Sequence, residues 1–168
     1  GVQTCALPIL QVVGGRAYPP GRDALTRLRQ WLATASSSGR RTLHACVVEK
    51  SGTRLTLWRE DRNLPSLALA PGERVEWDGR FEVSLDPSAR VEGTVSALGA
   101  TAWDTLRHRF TSPCRREIAL TLPGLFVAGE WMAAPELGLS SPGIPVTVLP
   151  LPRQSLALRP FAVVSGAG

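Results

Sequence analysis

The sequence predicts an α+β fold in which antiparallel β-hairpins accompany one N-terminal amphipathic helix and one or two short helices. One stretch, residues 20–35, repeats its apolar residues with the period of an α-helix. Several later stretches alternate apolar and polar residues with a period of two, which is typical of half-buried strands. The chain has 168 residues, of which 43% are hydrophobic and 20% charged, so it can bury a sizeable core.

The amphipathic helix is predicted to run from Pro20 to the polar segment 36–39. Proline suits the first helical position because its nitrogen carries no hydrogen to donate. Leu25, Leu28 and Leu32 fall on one face, and a run of serines followed by glycine ends the pattern. We expect this leucine face to pack on the core.

The first β-hairpin is predicted to begin at Arg41. Apolar and polar residues alternate from there to Val48, as in one continuous strand. A turn at residues 50–52 then returns the chain along residues 55–59. Residues 61–71 contain two prolines and few periodic positions, so they are predicted to form a connecting loop.

The second β-hairpin is predicted over residues 74–85, and its loop length decides which residues face each other. A two-residue turn would oppose Trp77 with a charged residue, whereas a three-residue loop opposes Trp77 with Phe81 and keeps one face apolar. The longer loop also brings Glu76 opposite Glu82, and a neighbouring arginine must offset their repulsion. The sequence therefore predicts the three-residue loop.

The rest of the chain is predicted to continue with short elements. Short helices are expected over residues 101–110 and from Ser112-Pro113 onward. Strands are expected over residues 91–98, over residues 125–132 with a turn at Gly129, and over residues 145–149 and 161–164.

The first nine residues, GVQTCALPI, match neither a signal peptide nor a plausible strand and turn. They resemble the translation of a sequencing adapter joined to a truncated gene. Residues 1–9 are therefore predicted to be an artefactual leader, of which residues 1–7 pack against nothing. The remaining chain is expected to divide into residues 10–70, with the helix and first hairpin, and residues 71–168, a β-rich domain.

The charge of the chain favours an acidic partner such as a nucleic acid. Nineteen Lys and Arg against 14 Asp and Glu give a net charge of +5, and Lys50 is the single lysine. Two interpretations of the arginines stay open: a GC-rich genome with an ordinary solvated surface, or guanidinium groups that match phosphate oxygens. The candidate nucleic-acid contacts are Arg22, Arg27 and Arg29 on the helix, the pair Arg40 and Arg41, and the later group Arg107, Arg109, Arg115 and Arg116.

Cysteine use and hydropathy predict the compartment. The three cysteines cannot all form disulfides with one another, and the sequence has no Cys-x-x-Cys motif. Both observations favour a protein of the reducing cytoplasm. No apolar stretch approaches the roughly 18 residues that a membrane span needs, so no membrane partner is expected.

Known catalytic and cofactor motifs are missing from this sequence. It has no Gly-x-x-x-x-Gly-Lys-Ser/Thr, and no Gly-x-Ser-x-Gly. His44 with Cys46, and His108 with Cys114, lack the spacing of zinc ligands. We therefore predict no catalytic, cofactor-binding or metal-binding residues in this chain.

A series of short motifs carries a resemblance over about residues 10–164. In chain order these are GGRAYPP (14–20), RTLHAC (41–46), WRE (58–60), PGE (71–73), WDGRF (77–81), LPGL (122–125) and RPF (159–161). Their order and spacing resemble the C-terminal half of bacterial tRNA(Ile)-lysidine synthases of the alphaproteobacterial type.

The resemblance implies a function. Enzymes of this family use ATP to activate the wobble cytidine of a tRNA anticodon and attach lysine to it. Their catalytic loop, Ser-Gly-Gly-x-Asp-Ser, belongs to an N-terminal α/β domain and is absent from this sequence. The resemblance thus implies a tRNA-binding fragment, inactive alone, whose parent ligase takes ATP, Mg²⁺ and L-lysine through the missing domain. The alternative is a β-rich protein-interaction module without catalytic activity.

Overall fold

The computed structural model describes residues 2–34, 38–109 and 114–151. Contacts divide the chain into two compact units, the first containing Gly1–Glu60 and the second Asp61–Leu151. Within the described residues, α-helices accompany three antiparallel sheets, which confirms the predicted α+β class. The predicted domain division after residue 70 stays a prediction.

The first unit places two helices with a three-stranded sheet. Its elements are α1 (Val2–Gly14), α2 (Arg22–Thr34), β1 (Ser38–Leu43), β2 (Cys46–Ser51) and β3 (Arg54–Arg59), and the strands follow the order β1-β2-β3. The position of α2 confirms the helix predicted from its leucine repeat. Helix α1 begins inside the segment predicted to be a leader, whose artefactual origin stays a prediction.

Both helices contribute to the core of the first unit. Leu10 of α1 is buried with Cys46 and Val48 of β2, and Leu25, Leu28 and Trp31 of α2 pack against this cluster. The Cys46 thiol donates to the Leu10 carbonyl oxygen at 3.4 Å. Lys50 Nζ donates to the Leu32 carbonyl oxygen at 2.8 Å and so caps the last turn of α2.

The strand predicted to run continuously from Arg41 to Val48 is wrong, because the chain reverses at His44 and Ala45. These two residues adopt φ of 55° and 60° and close a hairpin in which Leu43 faces Cys46. Such a turn usually contains glycine or asparagine, and neither residue stands here to signal it. The next reversal, around residues 50–52, is confirmed by the antiparallel pairing of β2 with β3.

The second unit contains a five-stranded and a three-stranded sheet. Its strands are β4 (Leu67–Leu69), β5 (Arg74–Trp77), β6 (Phe81–Leu85), β7 (Gly93–Ala97), β8 (Pro123–Val127), β9 (Glu130–Ala134), β10 (Leu139–Ser140) and β11 (Val146–Pro150), and its helices are α3 (Gly99–Leu106) and α4 (Arg116–Ala119). The sheet orders are β10-β9-β8-β7-β4 and β11-β6-β5. Trp77, Val83 and Leu125 are among the fully buried residues of its core.

Strand β4 corrects the prediction that residues 61–71 form only a loop. Its three residues pair with β7, more than twenty positions later in the chain. A strand this short shows no local periodicity, and the prolines on both sides hide it in the sequence. Its pairing depends on tertiary contacts rather than on local pattern.

The hairpin of β5 and β6 has the predicted register. Trp77 pairs with Phe81, and Glu76 pairs with Glu82. Arg74 Nη1 lies 3.2 Å from a carboxylate oxygen of Glu82 and offsets the repulsion of the two glutamates. The three-residue loop is therefore confirmed.

Most of the later elements agree with those predicted from the sequence. Strands β7 and β11 confirm two predicted strands, and β8 turns into β9 around Gly129 as expected. Helix α3 continues into a 3-10 turn at Arg107–Arg109. The predicted helix start at Ser112-Pro113 and the predicted strand 161–164 lie outside the described residues. In the described part of the chain, no helix has the length and apolar character needed to cross a bilayer.

Candidate nucleic-acid interface

Helix α2 presents its three arginines to solvent on two different edges. The inner side of the helix carries Leu25, Leu28 and Trp31, which pack against the core of the first unit. Arg22 and Arg29 are seven residues apart, about two turns, so they share one edge. Arg27 precedes Trp31 by four residues and lies on the same side as that ring. The structure thus separates Arg27 from the other two arginines, which the sequence had grouped with it.

Strand β1 sends its two arginines to opposite faces of the sheet. Arg40 Nε donates to Glu49 Oε1 at 2.6 Å, and its guanidinium lies 5.4 Å from the ring centre of Trp58. The Arg41 guanidinium lies 5.9 Å from the ring centre of Trp31 on α2. Arg41 therefore belongs to the helix-covered face, and Arg40 belongs to the other.

A groove of about 500 Å³ lies between α2 and β1. It brings together two predicted contact residues that are distant in sequence, Arg27 and Arg41. Its lining residues are Ala24, Arg27, Leu28, Gln30, Trp31, Arg41, Thr42 and Leu43. The groove combines an aromatic and aliphatic floor with two guanidinium groups.

The arginines of α2 and the groove carry charge that no carboxylate of the described residues neutralises in a salt bridge. Within the described residues, Arg22, Arg27, Arg29 and Arg41 form no salt bridge, although each is exposed. Arg40, by contrast, is paired with Glu49. These four arginines place positive charge on α2 and on the face of β1 that α2 covers.

The second group of predicted contacts is arranged less uniformly. Arg107 and Arg109 lie in the 3-10 turn, and the Arg109 guanidinium stands 5.5 Å from the ring centre of Trp131. Arg115 lies 3.6 Å from a carboxylate oxygen of Glu117, while Arg116 is exposed at the start of α4. Residues 110–113, between the two pairs, lie outside the described residues.

Two other arginines are structural rather than exposed. Arg80 is buried against Trp77 and Phe81, donates to Asp78 at 2.7 Å, and donates to the Thr121 carbonyl oxygen. Arg59 is buried and donates to the Ala45 carbonyl oxygen at 3.4 Å. Their charges lie inside the fold and do not contribute to an interface.

Tyr18 is an exposed aromatic that the sequence pattern does not assign to the surface. Its side chain is 80% exposed. The loop that carries it is held by a hydrogen bond between His44 Nε2 and the Tyr18 carbonyl oxygen at 2.7 Å, and by Gln11 Nε2, which donates to the Ala17 carbonyl oxygen at 3.3 Å. The motif GGRAYPP contains Tyr18 but gives no sign of its exposure.

The described residues of this chain do not form a site for a metal ion. In the described ranges, no three His, Cys, Asp or Glu side chains come together. Burial raises the pKa of the Cys114 thiol, against a smaller opposing effect from a backbone hydrogen bond at Ala119, and so disfavours the thiolate that a metal would need.

Comparison with known proteins supports the resemblance seen in the motifs. The chain is 40% identical over 91 residues to the tRNA(Ile)-lysidine synthase of Rhizobium meliloti, a match covering 54% of this chain and 20% of that protein. It is 38% identical over 72 residues to that of Brucella anthropi, covering 42% and 16%, and 35% identical over 75 residues to that of Brucella ovis, covering 44% and 17%.

The matches span about a fifth of the length of the curated relatives. No protein-family model matches the chain, and no solved structure matches it. The predicted resemblance is nevertheless confirmed: over about half of its length, this chain is similar to tRNA(Ile)-lysidine synthases of alphaproteobacteria.

Proposed function

We propose that this chain binds tRNA as the C-terminal part of a tRNA(Ile)-lysidine synthase, an ATP-dependent ligase of the cytoplasm that attaches lysine to the wobble cytidine of the anticodon. The names of its relatives support tRNA as the partner. The observation that carries the proposal is a set of exposed arginines without a carboxylate partner in the described residues, namely Arg22, Arg27 and Arg29 on α2 and Arg41 on β1.

Uncompensated arginines favour a polyanion for a physical reason. A guanidinium that contacts a phosphate releases condensed counterions from the nucleic acid, so binding gains free energy that salt diminishes. An arginine that is already paired with a carboxylate contributes less free energy to binding, because it must give up one anionic partner to contact another. The arginines of α2 have no such exchange to make within the described part of the chain.

The chemistry of the ligase is proposed to reside elsewhere in the parent enzyme. This sequence has no Ser-Gly-Gly-x-Asp-Ser loop, and its described residues form no acidic cluster for Mg²⁺. ATP, Mg²⁺ and L-lysine would bind only through the part that carries that loop. The chain alone is therefore expected to bind tRNA without modifying it.

The test replaces Arg22, Arg27 and Arg29 together with glutamine, which keeps helix propensity nearly constant and removes only charge. Binding to tRNA is measured over a series of salt concentrations. We expect weaker binding at low salt and a log-log slope that is shallower by about two to three units, roughly one for each phosphate that the variant no longer neutralises.

A control variant loses the same charge elsewhere. Arg54, Arg74 and Arg90 are exposed, and the ion pair between Arg74 and Glu82 is exposed enough to contribute little to stability. Replacing these three with glutamine should leave the slope close to that of the parent chain. An unchanged slope in the α2 variant would move the interface to the group of Arg107, Arg109, Arg115 and Arg116. Absence of salt-dependent binding by the parent would favour the protein-interaction module.

A further inference from the structure

We propose that the groove between α2 and β1 binds one unpaired nucleotide of an RNA single strand. The base stacks on the paired Arg41 and Trp31 side chains, and the phosphate lies against Arg27. This inference rests on the proposed function. It adds that the groove distinguishes an unpaired nucleotide from a base-paired one, which a uniformly basic surface would not do.

The dimensions and lining of the groove suit a nucleotide. Its volume of about 500 Å³ lies within the range of small-molecule sites, which are mostly apolar with a few polar groups that orient the ligand. Trp31, Leu28 and Leu43 supply apolar surface for a base. Arg41 adds a planar guanidinium on which a base can stack.

Trp31 and Arg41 form the stacking platform, and Trp31 is held in place before any ligand binds. A Cβ atom added to Gly39 would lie 3.2 Å from Trp31 Cζ2, so the indole packs directly on the backbone of β1. Lys50 fixes the end of the same helix through its bond to the Leu32 carbonyl oxygen at 2.8 Å. Such preorganisation lowers the entropic cost of binding.

The charges around the platform fit a phosphate beside the base. Arg27 lies one helical turn before Trp31, and both Arg27 and Arg41 line the groove without a carboxylate partner in the described residues. A base in an A-form duplex is already stacked and paired, so it cannot enter a groove of this kind. The groove therefore selects unpaired nucleotides.

The experiment compares a short oligouridylate with a blunt RNA duplex of the same length, each titrated with the full chain at one salt concentration. A duplex carries more charge, so a purely electrostatic surface would bind it at least as tightly. We expect the oligouridylate to bind more tightly. Arg41→Lys keeps the charge but loses the planar group, and it should weaken oligouridylate binding by about tenfold while leaving duplex binding nearly unchanged.

The neighbouring residue provides the matched control. Arg40 also stacks on a tryptophan, Trp58, but it lies on the opposite face of β1, outside the groove. Arg40→Lys should therefore leave the preference for the single strand intact. Circular dichroism of both variants checks that the fold is retained, and Arg27→Gln supplies an independent readout, a salt slope shallower by about one unit on oligouridylate.

The outcomes separate this inference from the proposed function. Salt-dependent tRNA binding with equal affinity for oligouridylate and duplex would overturn the groove as a nucleotide site and leave the tRNA proposal standing. Loss of the preference in Arg40→Lys as well as in Arg41→Lys would overturn it too. A parent chain that binds no RNA would overturn both proposals.

Discussion

Trp77 is the largest side chain that the second unit buries completely, at 0% exposure. Its Nε1 donates to the Pro65 carbonyl oxygen at 3.0 Å, and its ring centre lies 6.3 Å from that of Phe81. Trp77→Ala should lower the free energy of unfolding by about 3 to 5 kcal/mol, because it removes buried surface and leaves a cavity. Urea denaturation measures the change.

An exposed residue provides the comparison for Trp77. Leu55 is 48% exposed, so Leu55→Ala should change the free energy of unfolding by less than about 1 kcal/mol. A loss for Trp77→Ala as small as that for Leu55→Ala would contradict the burial of the β5 and β6 hairpin.

Gly14 is required by a close approach of backbone to backbone. A Cβ atom at this position would clash with the His44 carbonyl oxygen and would lie 3.2 Å from Cys46 Sγ. Gly14→Ala should therefore destabilise the fold by about 1 to 3 kcal/mol, as overpacking does elsewhere, measured as a shift of the urea midpoint.

Gly21 offers the matched substitution in an open position. A Cβ atom at Gly21 would meet nothing within 4 Å, so Gly21→Ala creates no clash and should change the free energy of unfolding by less than about 1 kcal/mol, mainly through the lower preference for alanine just before a helix. Equal effects of the two substitutions would show that α1 does not end against the turn at His44.

The turn between β1 and β2 has an uncommon backbone conformation at two successive residues. Both of its residues have positive φ, 55° at His44 and 60° at Ala45, which costs a residue with a Cβ about 1 kcal/mol or more. Ala45→Gly should therefore raise the free energy of unfolding by about 0.5 to 1 kcal/mol, while keeping the hydrogen bond from Glu60 N to the Ala45 carbonyl oxygen.

The same substitution in an extended strand should have the opposite sign. Ala68 lies in β4, and Ala68→Gly should destabilise by about 0.5 to 1 kcal/mol because glycine loses more entropy on folding. Thermal denaturation of the two variants, measured in parallel, compares their melting temperatures with that of the parent chain. If Ala45→Gly also lowers the melting temperature, the left-handed turn at this position would be refuted.

These elements show which local patterns suffice to predict the fold. The register of β5 against β6 follows from sequence because only one loop length keeps Trp77 and Phe81 on an apolar face. Helix α2 follows from its leucine spacing. The turn at His44 and strand β4 could not be predicted, because a left-handed alanine has no compositional signal and a three-residue strand is defined by its partner β7.

At the scale of the whole molecule, the net charge of +5 predicts the class of partner but not the place where it binds. The spacing of Arg27 and Trp31 on one helix side is visible in the sequence. The sequence does not show that Arg41 lies beside Trp31, because that contact depends on which face of β1 the helix covers. Burial of Arg59 and Arg80 likewise removes two charges from the surface that a count of residues would assign to it.

The bond from Lys50 to the end of α2 has a consequence for the chemistry of the basic surface. Lys50 is the single lysine of the sequence, and its ammonium is engaged with a backbone carbonyl oxygen. The other Lys and Arg side chains are all arginines, whose planar guanidinium groups match the geometry of phosphate oxygens. Salt screens the attraction between these guanidinium groups and an anionic partner, so the concentration of salt is the variable that tests the surface.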